Sequence, residues 1–250
     1  MEPASRQRKR IAILQSNYVP WKGYFNLVDS VDEFVLLDSV QYTRGDWRNR
    51  NRIKSAQGLK WLSIPIQTSG KFPQLIEDAR TSDENWPKHH WRQLWESYRR
   101  APAFEEMAAQ IEPVYASSPT RWLSEINEHF LTALNRLLGI STVITRDHKY
   151  LSDTTTGKTE RLVEICQRAG AAEYVSGPAA RAYLDEEMLR QQGIGVTWFE
   201  YPSYPEYGQL HPPFAHAVTV LDVLFHLGGA SRKYILTPQP DSLPRLSDLP

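Results

Sequence analysis

The sequence predicts an α/β fold: a mainly parallel sheet flanked by helices, interrupted by an inserted helical block. Three observations carry this. Five short apolar runs of strand length recur along the chain: IAILQ (Ile11–Gln15), EFVLLD (Glu33–Asp38), TVIT (Thr142–Thr145), EYVSG (Glu173–Gly177) and GVTWFEY (Gly195–Tyr201). Segments with helical spacing separate most of them. Between the second and third runs the alternation stops, and helices follow one another from about Trp86 to Leu138.

In order, Ile11–Gln15 reads as a buried strand, and Asn17 and Pro20 open a helix through Gly23–Val28. Glu33–Asp38 is the second strand. WRNRNRI (Trp47–Ile53) alternates with period two, as an extended strand requires, so Arg48, Arg50 and Arg52 share one face. Asn49 and Asn51 take the other face with Trp47 and Ile53. Past a turn at Gly58, KWLSIPI (Lys60–Ile66) completes a hairpin. Trp91, Leu94, Trp95 and Tyr98 have helical spacing within Trp86–Tyr98; Pro102 ends that helix, and Glu105–Tyr115 follows. Over Thr120–Leu138 a stripe of Trp122, Leu123, Ile126, Phe130, Leu134, Leu137 and Leu138 ends at Gly139, a C-cap residue. Beyond the TVIT strand, helices are expected over Glu160–Ala169, Arg181–Gln191 and Val220–Leu227, with a proline-rich loop around His211–Pro213. One domain, residues 11–230, is expected between a disordered tail (1–10) and a C-terminal tail (231–250).

The chain has 250 residues, with 29 basic and 29 acidic side chains, so no global field draws it to a polyanion or a membrane. Against that neutrality, Arg44, Arg48, Arg50, Arg52 and Lys54 face a single acid, Asp46, between residues 44 and 54. Guanidinium forks fit phosphate and carboxylate oxygens, which points to a small anionic ligand. A solvated, aggregation-resistant edge strand is the structural alternative. One cysteine, Cys166, excludes an intramolecular disulfide and fits a reducing compartment. No run approaches the roughly 18 apolar residues of a membrane span, and MEPASRQRKR lacks the apolar segment of a signal peptide. A cytoplasmic location is expected.

Ligands in open α/β sheets gather at the carboxyl ends of strands. Three expected ends are polar: Gln15–Ser16–Asn17–Tyr18, Asp38–Ser39–Val40–Gln41–Tyr42 and Ser176–Gly177–Pro178. Short polar residues also form turns, so these ends matter together rather than singly. GKT at Gly157–Thr159 is no P-loop, because Ser152 stands where the motif needs glycine; Asp153 or Thr156 is expected to cap that helix. Thr219 and Asp222 fit a capping box, with His226 one turn beyond Asp222. Cys166 falls on a buried stripe and reads as an inert hydrophobe. His89 and His90 diverge on a helix, and His129 reads as an edge-of-core residue. His148 and His211 lie in loops as acid–base candidates. No His/Cys/carboxylate spacing suggests a metal.

Together, ILQSNYVPWKGYFNLV, DSVQY, WRNRNRI, LKWLSIPI, EYVSGPAARAYLD and VLDVLFHLGG resemble the WbqC-like family from about Ile11 to Gly229. The resemblance implies a role in O-antigen, other surface-polysaccharide or secondary-metabolite biosynthesis, by acyl or aminoacyl transfer to an amino sugar. The family's recurrent positions map here onto Gln15, Tyr18, Pro20, Trp21, Gly23, Tyr24, Asp38, Gln41, Asn49, Arg50, Ser176, Gly177, Tyr183, Gln209 and Asp222. Ser16 replaces a common proline and Ser39 a common second acid.

On that basis Arg48, Arg50 and Arg52 are expected to hold phosphate, and Gln15, Asn49 and Gln41 to orient the sugar or amide. Asn17, Tyr18, Ser176, Gly177, Tyr183 and Gln209 complete the expected binding set. Asp38 is the expected base, with His148 or His211 as substitutes. No tightly bound cofactor is expected. The donor would be a phosphopantetheine carrier (an acyl-carrier protein), coenzyme A or an aminoacyl-tRNA. Two other readings are a nucleotidyl transferase-like enzyme and a non-catalytic subunit that presents a carrier- or RNA-linked substrate.

Overall fold

A computed structural model describes residues 8–71, 73–118, 121–152 and 157–236. Strands β1 (Arg10–Leu14) and β2 (Glu33–Leu36) flank helix α1 (Lys22–Asp29). The hairpin β3 (Arg50–Ser55) and β4 (Gly58–Ser63) follows, then α2 (Trp86–Tyr98), α3 (Phe104–Ala116) and α4 (Leu123–Leu137). The alternation resumes with β5 (Val143–Arg146), α5 (Lys158–Ala169), β6 (Glu173–Ser176), α6 (Glu186–Gln191) and β7 (Gly195–Trp198). It ends with α7 (Val220–Leu227) and α8 (Arg232–Ile235).

The main sheet has the order β5-β2-β1-β6-β7, and every pairing in it is parallel. Strand order therefore reverses between β1 and β6, as in doubly wound folds. Side chains of β1 alternate between the two layers. Ala12 joins the core with α1, the helical block and α7, whereas Ile11 and Ile13 join Leu162, Ile165, Cys166 and Leu189 of α5 and α6. The helical block belongs to the first of these cores. Tyr18, fully buried, meets Trp86 edge-on at 5.7 Å and Phe130 at 5.5 Å. Packing of this kind fixes the β1–α1 loop against α2 and α4.

Several expectations change. Trp47 lies on the arginine side of the hairpin, not beside Ile53, because the chain turns before β3 begins at Arg50. Arg48 and Asn49 precede the strand for the same reason. Arg50 and Arg52 do share a face opposite buried Asn51 and Ile53. The helix expected over Arg181–Gln191 splits into a 3-10 turn, Pro178–Ala182, and α6, which Asp185 caps by accepting the Met188 N–H at 3.1 Å. Helix α8 was not expected. The capping box at Thr219 is half formed: Thr219 accepts the Leu221 N–H, while the Asp222 side chain turns elsewhere. The expected Asp153 or Thr156 cap, the Thr120 start of α4 and most of both tails lie outside the described residues.

Candidate functional site

The order β2-β1-β6 sets the three polar strand ends side by side, at the usual spacing of about 4.8 Å between neighbours. Ser16, just past β1, donates its N–H to Asp38 Oδ1 at 2.9 Å, and Ser124 of α4 donates to Asp38 Oδ2 at 2.5 Å. Asp38 is 2% exposed, and burial raises its pKa against the pull of these bonds. Asn127 of α4 donates to the Ser16 hydroxyl and to the Arg48 carbonyl, both at 2.9 Å. Arg48 turns toward β1, donating to Asn17 Oδ1 at 2.5 Å and to the Gln15 carbonyl at 3.4 Å.

At the β1/β6 switch point the wall is aromatic. Trp21, the residue before α1, packs on Tyr201 with ring centroids 5.3 Å apart, and the Tyr201 hydroxyl lies over Gly177. A Cβ on Gly23 would collide with the Trp21 indole, so glycine at this position lets the ring lie across the helix start.

On the other flank, β5 delivers Asp147 and His148 beside the β2 end. Ser39 donates to Asp147 Oδ2 through its hydroxyl at 2.5 Å and its N–H at 3.1 Å. Arg161 of α5 reaches the Ser39 hydroxyl at 2.7 Å and its carbonyl at 3.1 Å, leaving its own Nε buried without a partner. Glu77 completes the cluster. Ligand atoms of Glu77, Asp147 and His148 all lie within 4.8 Å of one another, a mixed carboxylate–imidazole set with the donor types of a divalent cation site. Burial, then the Asp147 and Asp78 charges, raise the Glu77 pKa, and His148 opposes them. No sequence spacing signalled this group, because its members come from separate segments. Asp147, Glu77, Arg161 and Tyr201 are the residues sequence reasoning missed; a polar triplet directly after the TVIT strand was the available signal.

The expected site residues therefore divide. Gln15, Asn17, Asp38, Arg48, His148, Ser176 and Gly177 gather along the sheet's carboxyl edge. Tyr18 is instead a core residue, its hydroxyl 2.8 Å from His90 Nδ1 and 2.9 Å from that of Tyr115. Asn49 is buried and ties the hairpin to the Ile64 carbonyl at 2.8 Å. Gln41 and Tyr183 are exposed, Tyr183 with the Lys158 ammonium 5.4 Å from its ring.

Gln209 belongs to an internal hub. It donates to Asp222 Oδ1 at 2.9 Å and accepts from Lys54 Nζ at 3.0 Å, and Tyr98 and Tyr207 also donate to Asp222 at 2.9 and 2.6 Å. His226 accepts the Leu210 N–H at Nε2 and donates from Nδ1 to the Asp222 carbonyl at 2.7 Å, a neutral structural arrangement. His211 lies apart, in a cavity of about 570 Å³ with Ser55, Ser97, Arg99 and Arg100. Cys166 is fully buried, and burial pushes its thiol up to about 12.

Fold and strand order define a doubly wound α/β protein whose polar strand ends lie side by side along the carboxyl edge of its sheet. The sequence pattern of the WbqC-like protein family matches residues 15–234, and the chain belongs to that family. It is 46% identical over 227 residues to a protein of Mycobacterium tuberculosis (strain ATCC 25618 / H37Rv) that carries the description "Uncharacterized protein Rv1507c". That match covers 91% of this chain and 97% of the relative. No solved structure matches the chain. Among the described residues, no helix is long and apolar enough to cross a membrane.

Proposed function

We propose that this protein is a cytoplasmic transferase that moves an acyl or aminoacyl group onto the amine of a nucleotide-linked amino sugar or a related small molecule, in surface-polysaccharide or secondary-metabolite biosynthesis. The observation that carries the reading is the Arg161–Ser39–Asp147 chain beside Glu77 and His148. Opposite charges meet there at the ends of β2 and β5, and an amino sugar linked to phosphate carries both complementary charges. Ser39 matters to this balance. A serine bridges Arg161 and Asp147 where an acid would neutralise the guanidinium, so Arg161 keeps charge for an anionic ligand.

In this reading Arg161 and Arg48 hold the phosphate side, and Gln15 and Asn17 orient the sugar. Half-buried Glu77 receives the ammonium group, and Asp147, fully buried behind it with both oxygens already accepting hydrogen bonds, adds negative charge without touching the ligand. His148 takes a proton from the ammonium, the amine so formed attacks the acyl carbonyl, and the bond to the donor's sulfur or oxygen breaks, the nitrogen's second proton passing to the departing thiolate or alkoxide. His148 is preferred to Asp38 because it is exposed, whereas both Asp38 oxygens already accept hydrogen bonds.

The test is a thermal-shift panel of nucleotides, nucleotide-amino-sugars and coenzyme A, followed by turnover assays. Stabilisation by a nucleotide-amino-sugar should be lost in Arg161→Ala, and His148→Gln should lower kcat with little change in KM. Pyrophosphate release from a nucleoside triphosphate would replace this reading with nucleotidyl transfer. No stabilisation by any compound would sink it.

A further inference from the structure

The outer face of the hairpin carries a feature that the strand-end residues do not use. Trp47 and Trp61 stand 39% and 41% exposed, with ring centroids 5.5 Å apart. The Arg50 guanidinium lies 4.1 Å from the Trp61 ring centroid, and that of Arg52 lies 5.3 Å from Trp61 and 5.5 Å from Trp47. Among the described residues neither guanidinium has a hydrogen bond or an acidic partner, and the Nε of each is buried and unsatisfied. The nearby acid, Asp46, is turned to Arg48 at 3.5 Å and accepts the Trp47 N–H at 2.7 Å.

The platform is also rigid. Asn51, on the opposite face, donates to the Tyr18 and Val19 carbonyls at 3.2 and 2.9 Å, and Thr219 donates its N–H to the Arg52 carbonyl at 2.8 Å. Two exposed indoles and two uncompensated guanidiniums are thus held in place before any ligand arrives.

We infer that this face binds single-stranded RNA. Bases stack, with little regard to sequence, on the open faces of such rings and on the guanidinium planes that cover the others, and the guanidinium N–H groups meet the phosphates that join those bases. A free nucleotide would use one ring and one arginine; a strand uses the alternation of both. The chain is neutral overall, so the interaction is local and involves few phosphates. The inference stands on the hairpin alone. It gains a further meaning if the acyl-transfer reading is right, for the donor would then be an acyl group esterified to an RNA end.

The test is fluorescence anisotropy of the full chain with a short fluorescein-labelled oligouridylate across a salt series. Wild type should bind, with a log–log salt slope of about −1.4 if both arginines meet phosphate. Trp61→Ala should weaken binding about tenfold or more. Arg50→Gln with Arg52→Gln should flatten the slope, while Lys88→Ala, on α2, should change nothing. The inference is overturned by any of three results: no binding at low salt, binding indifferent to Trp61→Ala, or uridine monophosphate binding as tightly as the oligomer. Preference for an acidic carrier protein over RNA at this face would overturn it too. Trp61→Ala should leave the nucleotide-amino-sugar thermal shift intact, so failure here and failure of the acyl-transfer reading are separable.

Discussion

Asp38, at the end of β2, accepts a 2.5 Å hydrogen bond from Ser124 near the start of α4. With the Ser16 N–H on its other oxygen, one carboxylate joins two neighbouring strand ends to the helical block. Removing it in Asp38→Ala leaves a buried N–H and a buried hydroxyl without their acceptor, a loss of roughly 2–4 kcal/mol. Asp38→Asn keeps the shape and should lose much less. Burial raises the folded-state pKa, so the aspartate's contribution is complete below the unfolded value of about 4 and declines as pH rises through the folded one. The melting-temperature advantage of wild type over Asp38→Asn should therefore shrink from acidic to neutral pH. An advantage that grows instead would show that the hydrogen bonds outweigh burial.

His90 behaves with the opposite sign. It is 3% exposed, with Nε2 3.2 Å from the Ser63 carbonyl oxygen and Nδ1 2.8 Å from the Tyr18 hydroxyl. Burial lowers its pKa to about 4. The unfolded chain takes up this proton near 6.5, so stability present above that value is lost as pH falls toward 4, by roughly 3 kcal/mol. Urea midpoints measured across this range should fall more steeply for wild type than for His90→Gln. Parallel curves would remove His90 as the origin of acid lability.

Gly23 and Trp21 are coupled through space that only a hydrogen atom fills. Gly23→Ala drives a methyl group into the indole, and the displaced ring leaves Tyr201. Overpacking of this kind costs roughly 1–3 kcal/mol. In Trp21→Leu the obstacle is gone, so adding Gly23→Ala should then be close to neutral. A double-mutant cycle on thermal unfolding measures that coupling; additive effects would show that the clash relaxes elsewhere.

What the sequence made legible follows from how local each signal is. The strands and long helices are written in runs such as IAIL and in the α4 stripe, because burial of one face dictates the spacing. The polar ends of β1, β2 and β6 were visible singly, but their adjacency depends on strand order, which is a long-range pairing. Asp147 and Glu77 were invisible for the same reason: they are 70 positions apart in the numbering and meet only because β5 pairs with β2. Trp47 went to the other face because a turn before Arg50 broke the period-two pattern that WRNRNRI suggests. Gln209 and Asp222 were noticed one by one, while their common hub with Tyr98 and Lys54 needed the tertiary structure.

Lys22, the first residue of α1, is the buried cation that the hub leaves unanswered. It is 3% exposed, and its ammonium has no hydrogen-bond partner. The rings of Tyr204, Phe214 and Tyr207 surround it with centroids at 5.0, 5.6 and 5.7 Å. Their faces attract the charge, but α1 opens toward it with the positive end of its dipole. Burial prevails over the attraction of Asp222 and Glu206 and brings the pKa down to about 8. The unfolded lysine holds its proton up to about 10.4, so this group weakens the fold at neutral pH and ceases to do so as pH rises between the two values. Lys22→Met should accordingly melt above wild type at neutral pH, with a gap that narrows as the solution is made alkaline. If the methionine variant melts lower at every pH, the aromatic cage more than offsets the burial of the charge, and Lys22 is an anchor for the loop that carries Tyr204, Tyr207 and Phe214.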